Sequence, residues 1–267
     1  MNLSNKVIVI LGGTTGLGLS AAHACVRAGG RLIVVGRNAE NARRAVVELG
    51  PQSRSLTADA SDPSTAGRSI NLAMAEFQRF DALYHVAGGS GRQHGDGPLH
   101  EITDGGWEKT MHWNLTSMFY SNRAAIQSFL DRKTGGSILN MGSVLALAPS
   151  AAYFSSHAYA AAKAAIIGMT RSAAAHYATH NIRLNVLAPA LVETPMSSRA
   201  QQNAEIMRFV RTKQPLDGGR IGLPSDVDEA AVFFLSDASK FVTGQVLSID
   251  GGWQLSDGQT TPLDPLG

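Results

Sequence analysis

The stretch His157-Ala-Tyr159-Ala-Ala-Ala-Lys163 puts a phenol and an ammonium four residues apart in a pattern that reads as helix. At that spacing both side chains lie on one helix face, one above the other. A free phenol, with a pKa of about 10, is a poor acid or base at neutral pH; a fixed ammonium beside it favours the phenolate and draws that pKa down. Such a pair can hand a proton to a carbonyl oxygen or take one from an alcohol. Alone, the same two residues are equally a half-buried aromatic and a solvated helix charge, so their meaning rests on what the rest of the chain brings to them.

The elements that must position them begin with Lys6–Leu11, a short apolar run that reads as a buried strand and feeds into Leu11-Gly-Gly-Thr-Thr-Gly-Leu-Gly18. A helical pattern follows to about Ala28, and Arg31–Val35 is the next strand. Strand, glycine-rich loop, helix and strand form the context of a dinucleotide site. The glycines let the backbone approach a pyrophosphate, and the helix start offers it unpaired N–H groups. The second strand ends Val35-Gly36-Arg37, where an NAD-preferring site carries Asp or Glu. With no carboxylate to repel a 2′-phosphate and a cation next in line, NADP(H) is favoured and NAD(H) remains possible.

Further along, Asn38–Leu49 reads as helix, Ser53–Ala58 as strand and Asp62–Phe80 as helix, with Asp62 as N-cap and Pro63 at N1. Ala82–Val86 is the fourth strand, ending in Ala87-Gly88-Gly89. Lys109–Arg132 reads as one long helix with Asn114 near its start. Gly136–Met141 is the fifth strand, followed by Gly142-Ser143. The Tyr159 helix runs to about Ala178, and Ile182–Leu187 is the sixth strand, ending at Ala188-Pro189. Ser197–Arg211 is a polar helical stretch that suits a lid, Ser225–Leu235 a helix capped by Ser225, and Gln245–Ile249 a seventh strand. The alternation predicts an α/β fold. Its core is a doubly wound parallel sheet of about seven strands with helices on both faces, a Rossmann fold. In such sheets ligands sit beyond the C-terminal strand ends, where Gly12, Arg37, Asp59, Ala87, Gly88 and Ser143 all fall. Residues 1–252 read as one catalytic domain and 253–267 as a tail.

The chain has 267 residues, 44% hydrophobic and 16% charged, with a formal net charge of +2, which suits one domain with a full core. No long Lys/Arg run points to nucleic acid, the apolar runs are strand-length rather than membrane-spanning, and no signal peptide or metal site is read. A soluble, cytoplasmic protein is the expectation. Cys25, the single cysteine, falls in an apolar helical pattern and reads as core packing.

Taken together these motifs resemble the short-chain dehydrogenases/reductases over essentially the whole chain up to Gly252. The family's T-G-x-x-x-G-x-G loop appears as Leu11 through Gly12, Thr14, Thr15, Gly16, Leu17 and Gly18, with Leu11 in place of Thr. Its N-A-G element appears as Val86-Ala87-Gly88, and its P-G-x-x-x-T element as Pro189-Ala190-Leu191-Val192-Glu193-Thr194. The resemblance implies a cofactor site built from these residues with Arg37, Asp59 against the adenine, Ala60, Val192, and Thr194 at the nicotinamide amide. It places the family's active-site Asn, Ser, Tyr and Lys on Asn114, Ser143, Tyr159 and Lys163.

The implied chemistry is hydride transfer between a nicotinamide and a carbonyl or secondary alcohol. Tyr159 would be the general acid/base, and Lys163 would lower its pKa and hold the nicotinamide ribose. Ser143 would hydrogen-bond the carbonyl oxygen, and Asn114 would hold a water that connects Lys163 to solvent. Ser143, Leu145, Tyr153, Tyr159 and Leu191 are the expected substrate contacts, with Phe154 and Val192 nearby. The longer than usual Ser143–Tyr159 connection suggests an unusual pocket. The family also implies a homo-oligomer, a dimer or tetramer.

Four alternatives stay open: a non-catalytic NADP-binding regulator, a different reaction on the same scaffold such as epimerisation or dehydration, an NAD-dependent alcohol or sugar dehydrogenase, and a 3-oxoacyl-carrier-protein reductase. The last needs a basic docking face, for which Arg123, Arg132, Lys133 and Arg171 are available.

Overall fold

The first strand, β1 (Val7–Leu11), is buried at every position, and its alternation explains the architecture. Ile8 and Ile10 face one apolar layer, while Val7, Val9 and Leu11 face another. Only a strand covered on both faces needs an unbroken apolar run. In the computed structural model, which describes residues 1–259, the elements that follow are α1 (Gly16–Arg27), β2 (Arg31–Gly36), α2 (Ala39–Leu49), β3 (Ser53–Thr57), α3 (Thr65–Phe77) and β4 (Ala82–His85). Then come α4 (Asp104–Met111), α5 (Ser117–Asp131), β5 (Gly136–Met141), α6 (His157–Tyr177), β6 (Ile182–Pro189), α7 (Ser198–Gln201), α8 (Ala204–Lys213), α9 (Asp228–Leu235) and β7 (Val246–Ile249).

The seven strands form one sheet of order β3-β2-β1-β4-β5-β6-β7, and every pairing is parallel. The chain belongs to the Rossmann-type α/β folds. Residues of α1, α2 and α9 pack on one face and residues of α3, α5 and α6 on the other. The order reverses between β2-β1 and β4-β5. At that switch point the connections leave in opposite directions and open a crevice beyond the strand ends. Cys25 lies in the first of the two layers, fully buried, and burial pushes its thiol up to about 12. Among the described residues no helix is long and apolar enough to cross a membrane.

Several local expectations are corrected. The third helix starts at Thr65, not at Asp62, because the Asp62 carboxylate accepts from the N–H and Oγ of Ser64 and closes a separate turn before the helix. The helix read as starting at Lys109 starts at Asp104, where the Thr103 hydroxyl accepts from Gly106 N–H. It passes through a π-helical turn, His112–Thr116, before α5. Asn114 therefore sits within a π turn rather than near a helix start, a distortion often found at functional sites. The stretch read as one helix over Ser197–Arg211 is two, broken at Asn203, whose Oδ1 accepts from Glu205 and Ile206 N–H to start α8. Ser225 lies inside a 3₁₀ turn, Pro224–Val227, that precedes α9, so it is not the cap.

Trp253, read as the first residue of the tail, is 1% exposed and belongs to a third apolar cluster with Val144, Ala200, Ile206 and Val210. The remainder of that tail beyond residue 259 lies outside the described residues.

Candidate active site

At the end of β1 the chain must turn beneath β4, and glycine makes that possible. Gly12 has φ +84, and a Cβ there would lie 2.7 Å from the Ala87 nitrogen. A Cβ on Gly18 would stand 2.1 Å from the Gly12 carbonyl oxygen, so Gly18 allows α1 to pack against the loop and does not itself line the crevice. The α1 start has no side-chain cap and no acidic residue in its first turn, which leaves its N–H groups to an anion. The loop opens on a cavity of about 530 Å³ lined by Gly12, Thr14, Thr15, Gly16 and Leu17. A nucleotide fits this half on the strength of the space that glycine leaves and the free helix start.

Arg37, Asp59 and Ala60 line the same cavity at the ends of β2 and β3. Burial raises the Asp59 carboxyl, but the N–H and Oγ of Ser61, with Arg37 and Lys109 nearby, bring it below its usual range. The Arg37 guanidinium lies 5.8 Å from the Trp113 ring centroid, and the Lys109 ammonium 4.6 Å from the same ring. Trp113 lines the cavity too and gathers two cations at this end, a feature that sequence reading missed. Gly36 has a reason the sequence does not reveal. A Cβ there would fall 2.0 Å from Thr14 Oγ1 and 2.8 Å from its Cγ2, so the Thr14 side chain fills the place where a residue-36 carboxylate would begin.

Across the switch point, Ala87, Gly88, Asn114, Ser143, Tyr159, Lys163, Pro189, Ala190, Val192 and Thr194 complete the lining, so the structure brings together the residues expected at the reacting end. Asn114 is fully buried; its Nδ2 donates to the carbonyls of Thr110 and Gly89, and its Oδ1 accepts from Gly89 N–H. Its side chain therefore clamps the loop after β4 instead of standing free. Ser143 is 7% exposed, just past β5, with its Oγ accepting from Leu145 N–H at 3.2 Å.

Tyr159 enters the cavity from the first turn of α6. That turn has no acidic residue of its own and no cap from Ser156. Instead the buried Asp96 reaches across from the loop before α4, its Oδ1 accepting from Ala158 N–H at 3.0 Å and its Oδ2 from Tyr159 N–H at 3.1 Å. A carboxylate at a helix start is favourable, and here it also fixes the backbone of Tyr159. Asp96 lies too far from Tyr159 in sequence for any local pattern to expose it.

Burial works against the expected effect of Lys163 on Tyr159. Lys163 is 2% exposed, and its Nζ donates to the Met141 carbonyl at 2.8 Å while standing 5.5 Å from the phenol ring centroid. Burial dominates both groups. It pushes the Tyr159 phenol up to about 12, with the neighbouring Ser143 hydroxyl offsetting part of the rise, and Lys163 down to about 7. Desolvation disfavours the charged form of each group.

Leu145, Phe154 and Leu191 line the substrate end. Tyr153 does not. It is 38% exposed and packs on Phe209 at 5.4 Å, because a left-handed φ of +62 turns it away while its neighbour Phe154 faces inward. Trp253 closes this end, edge-on to Phe154 and Phe209, with its indole N–H donating to Ala148. Gln214, 3% exposed, pins Leu191 through both its backbone N–H and its carbonyl. Of the basic residues considered for a docking face, Arg132 is committed to the Ser128 and Phe80 carbonyls and stacks on Phe80 and Phe129.

Comparison with known proteins agrees with this geometry. The family model described as enoyl-(acyl carrier protein) reductase matches residues 12–254. The 2-dehydro-3-deoxy-D-gluconate 5-dehydrogenase of Dickeya dadantii is 34% identical over 94% of this chain and 96% of its own. The cis-4-hydroxycyclohexanecarboxylate dehydrogenase of Sinomonas cyclohexanicum is 31% identical over 94% and 97%. A short-chain dehydrogenase/reductase structure from Mycobacterium ulcerans superposes with a TM-score of 0.87 at 28% identity, covering 96% of this chain and 92% of that one. Motif order, sheet topology and full-length matches agree, and the chain belongs to the short-chain dehydrogenases/reductases, oxidoreductases that act on CH–OH groups with NAD(P).

Proposed function

We propose that this protein transfers a hydride between NADP(H) and a small carbonyl compound or secondary alcohol, with Tyr159 as the proton donor and acceptor. The observation that carries the reading is that Tyr159, Ser143 and Lys163 line one cavity with Gly12, Thr14 and Arg37. Proton chemistry and nucleotide cradle thus share one space.

The nicotinamide, when bound, supplies or accepts the hydride. Gly12, Thr15, Gly16 and the start of α1 hold the pyrophosphate. Arg37 beside Trp113 meets the adenosine 2′-phosphate, and Asp59 and Ala60 border the adenine. Lys163 holds the nicotinamide ribose, and Thr194, with Pro189, Ala190 and Val192, borders the nicotinamide. In reduction the Tyr159 phenol gives its proton to the carbonyl oxygen. Ser143 donates a hydrogen bond to that oxygen where negative charge develops, and Lys163 as ammonium supports the phenolate left behind. In oxidation the same groups work in reverse. A phenol held near 12 keeps its proton over the whole physiological range, the form that donates to a carbonyl oxygen.

The test is nicotinamide absorbance with a ketone and alcohol panel, run on wild type and Tyr159→Phe. The substitution lowers turnover by about 10²–10⁴-fold while the cofactor dissociation constant stays within about threefold. Turnover undiminished in the variant overturns the role of Tyr159. For the cofactor, NADPH binds more tightly than NADH to wild type, and Arg37→Ala removes the difference; equal affinities in wild type overturn the NADP(H) preference.

A further inference from the structure

The substrate end of the cavity holds two arginines that the reaction outlined above does not use. Arg92 stands in the short 3₁₀ turn Arg92–His94 after β4, and Arg199 stands in α7. Both line the cavity. Both aim at one atom: the Nη2 of Arg92 lies 3.2 Å, and the Nη2 of Arg199 3.1 Å, from the backbone carbonyl oxygen of Tyr153. That carbonyl belongs to the residue with φ +62, the left-handed region that non-glycine residues rarely adopt.

Two guanidiniums on one neutral oxygen repel each other, and the charge of Arg199 helps burial hold Arg92 below its ordinary range. A folded chain normally relieves such a pair with a carboxylate. Here the acid closest in effect, Asp96, is engaged by the backbone N–H groups of Ala158 and Tyr159. Among the described residues neither arginine makes an ion pair. Each guanidinium has five donors in a planar fork, and the Tyr153 carbonyl takes one from each. The remaining donors, with two positive charges, border a cavity that Leu145, Phe154 and Leu191 also line.

We infer that Arg92 and Arg199 form a receptor for an anionic group of the substrate, and that the natural substrate is a hydroxy or keto acid whose anion stands away from the reacting carbon. The apolar residues Leu145, Phe154 and Leu191, which line the same cavity as the arginines and Tyr159, suit a hydrocarbon spacer. A planar carboxylate matches a guanidinium fork in bidentate fashion, and a sulfonate or phosphate offers the same oxyanion chemistry. The inference rests on the oxidoreductase reading for where the reacting carbon lies, but the anion site itself can be measured without turnover.

The experiment is titration calorimetry of wild type saturated with NADP⁺, a combination in which a ketone binds but cannot be reduced. The ligands are 4-oxopentanoate, its methyl ester, and inorganic phosphate and sulfate. Wild type, Arg199→Lys and the double variant Arg92→Gln/Arg199→Gln are compared, with melting temperatures recorded for each. The acid binds wild type about tenfold or more tightly than its ester. Arg199→Lys retains part of that ratio, and the double variant brings it near unity. A merely structural role for the arginines lowers acid and ester affinity alike and leaves the ratio standing, which overturns the inference. So does an ester that binds wild type as well as the acid, a failure of the acid to bind measurably, or a double variant whose loss falls equally on NADP⁺ affinity. Phosphate or sulfate displacing the acid with equal affinity assigns the site to oxyanions in general; failure to displace assigns it to carboxylates. If the acid preference is present and vanishes in the double variant, yet no carbonyl compound is ever reduced, the anion site stands and the oxidoreductase reading falls.

Discussion

The two halves of the cavity are built in opposite ways. The nucleotide half is made of backbone: a glycine turn at Gly12, the uncapped start of α1, and strand ends from one continuous sheet. Where a side chain intrudes on that backbone, as Thr14 does at Gly36, the neighbour is glycine, and the larger side chains, Arg37 and Trp113, stand at its far end. The substrate half is made of side chains drawn from distant segments. Trp253 meets Phe154 and Phe209 edge to face and those two rings tilt against each other, joining the loop after β5, α8 and the stretch after β7 in an apolar cluster separate from the two layers that flank the sheet. A backbone cradle tolerates little change but serves any dinucleotide. A cluster of aromatic anchors can be rebuilt to suit another substrate without disturbing the sheet.

The sharpest way to break this contrast is Gly36→Asp, the change that sequence logic offers for converting the site to NADH. Because Thr14 is 5% exposed and fills the space, the single variant is expected to lose roughly 2–4 kcal/mol of stability and its affinity for both cofactors. The pair Thr14→Gly/Gly36→Asp restores the melting temperature and binds NADH better than NADPH. A stable single variant that binds NADH tightly would show that Thr14 is no obstacle. Calorimetric melting and cofactor titration decide the matter.

Trp253→Ala examines the other half. Removing the indole leaves a cavity and an unpaired Ala148 carbonyl, with an expected cost of about 3–5 kcal/mol. If the halves are as separate as the packing indicates, substrate KM rises while the NADPH dissociation constant stays within about threefold. An equal loss in both constants means that the aromatic cluster also supports the cradle.

A smaller effect is expected in pH profiles, which sharpen the comparison at the seam between the halves. Lys163 is brought down to about 7 by burial, so carbonyl reduction declines as pH rises through that value and the ammonium supporting the phenolate is lost. Tyr159 is pushed up to about 12 and must lose its proton to act as a base, so alcohol oxidation climbs with alkaline pH. Initial rates in both directions between about pH 6 and 10 test this; parallel, flat profiles would contradict it.

Legibility in the sequence follows the same division. The parallel order of elements, the glycine loop and the Tyr159–Lys163 spacing are local patterns. They depend on backbone sterics, helix periodicity and the apolar runs of doubly covered strands, all written within a few adjacent residues. Boundaries set by side-chain bonding were less legible. Asp62 could cap a helix or close a turn, and its choice of Ser64 moved the start of α3 to Thr65. Of the adjacent aromatics Tyr153 and Phe154 the sequence favours Tyr153 as the substrate contact, but with the left-handed backbone at Tyr153 it is Phe154 that faces the cavity.

By itself, then, the sequence determined the sheet and the glycine loop, and set Tyr159 and Lys163 on one helix face, because short-range geometry specifies each of them. The tertiary structure decided what no spacing encodes. Asp96 secures the backbone of Tyr159 from another loop, Trp113 gathers Arg37 and Lys109, and Arg92 and Arg199 converge on a single carbonyl. It also decided the direction of the Tyr159 and Lys163 shifts, since the loss of water around each group depends on everything packed against it, which no spacing records.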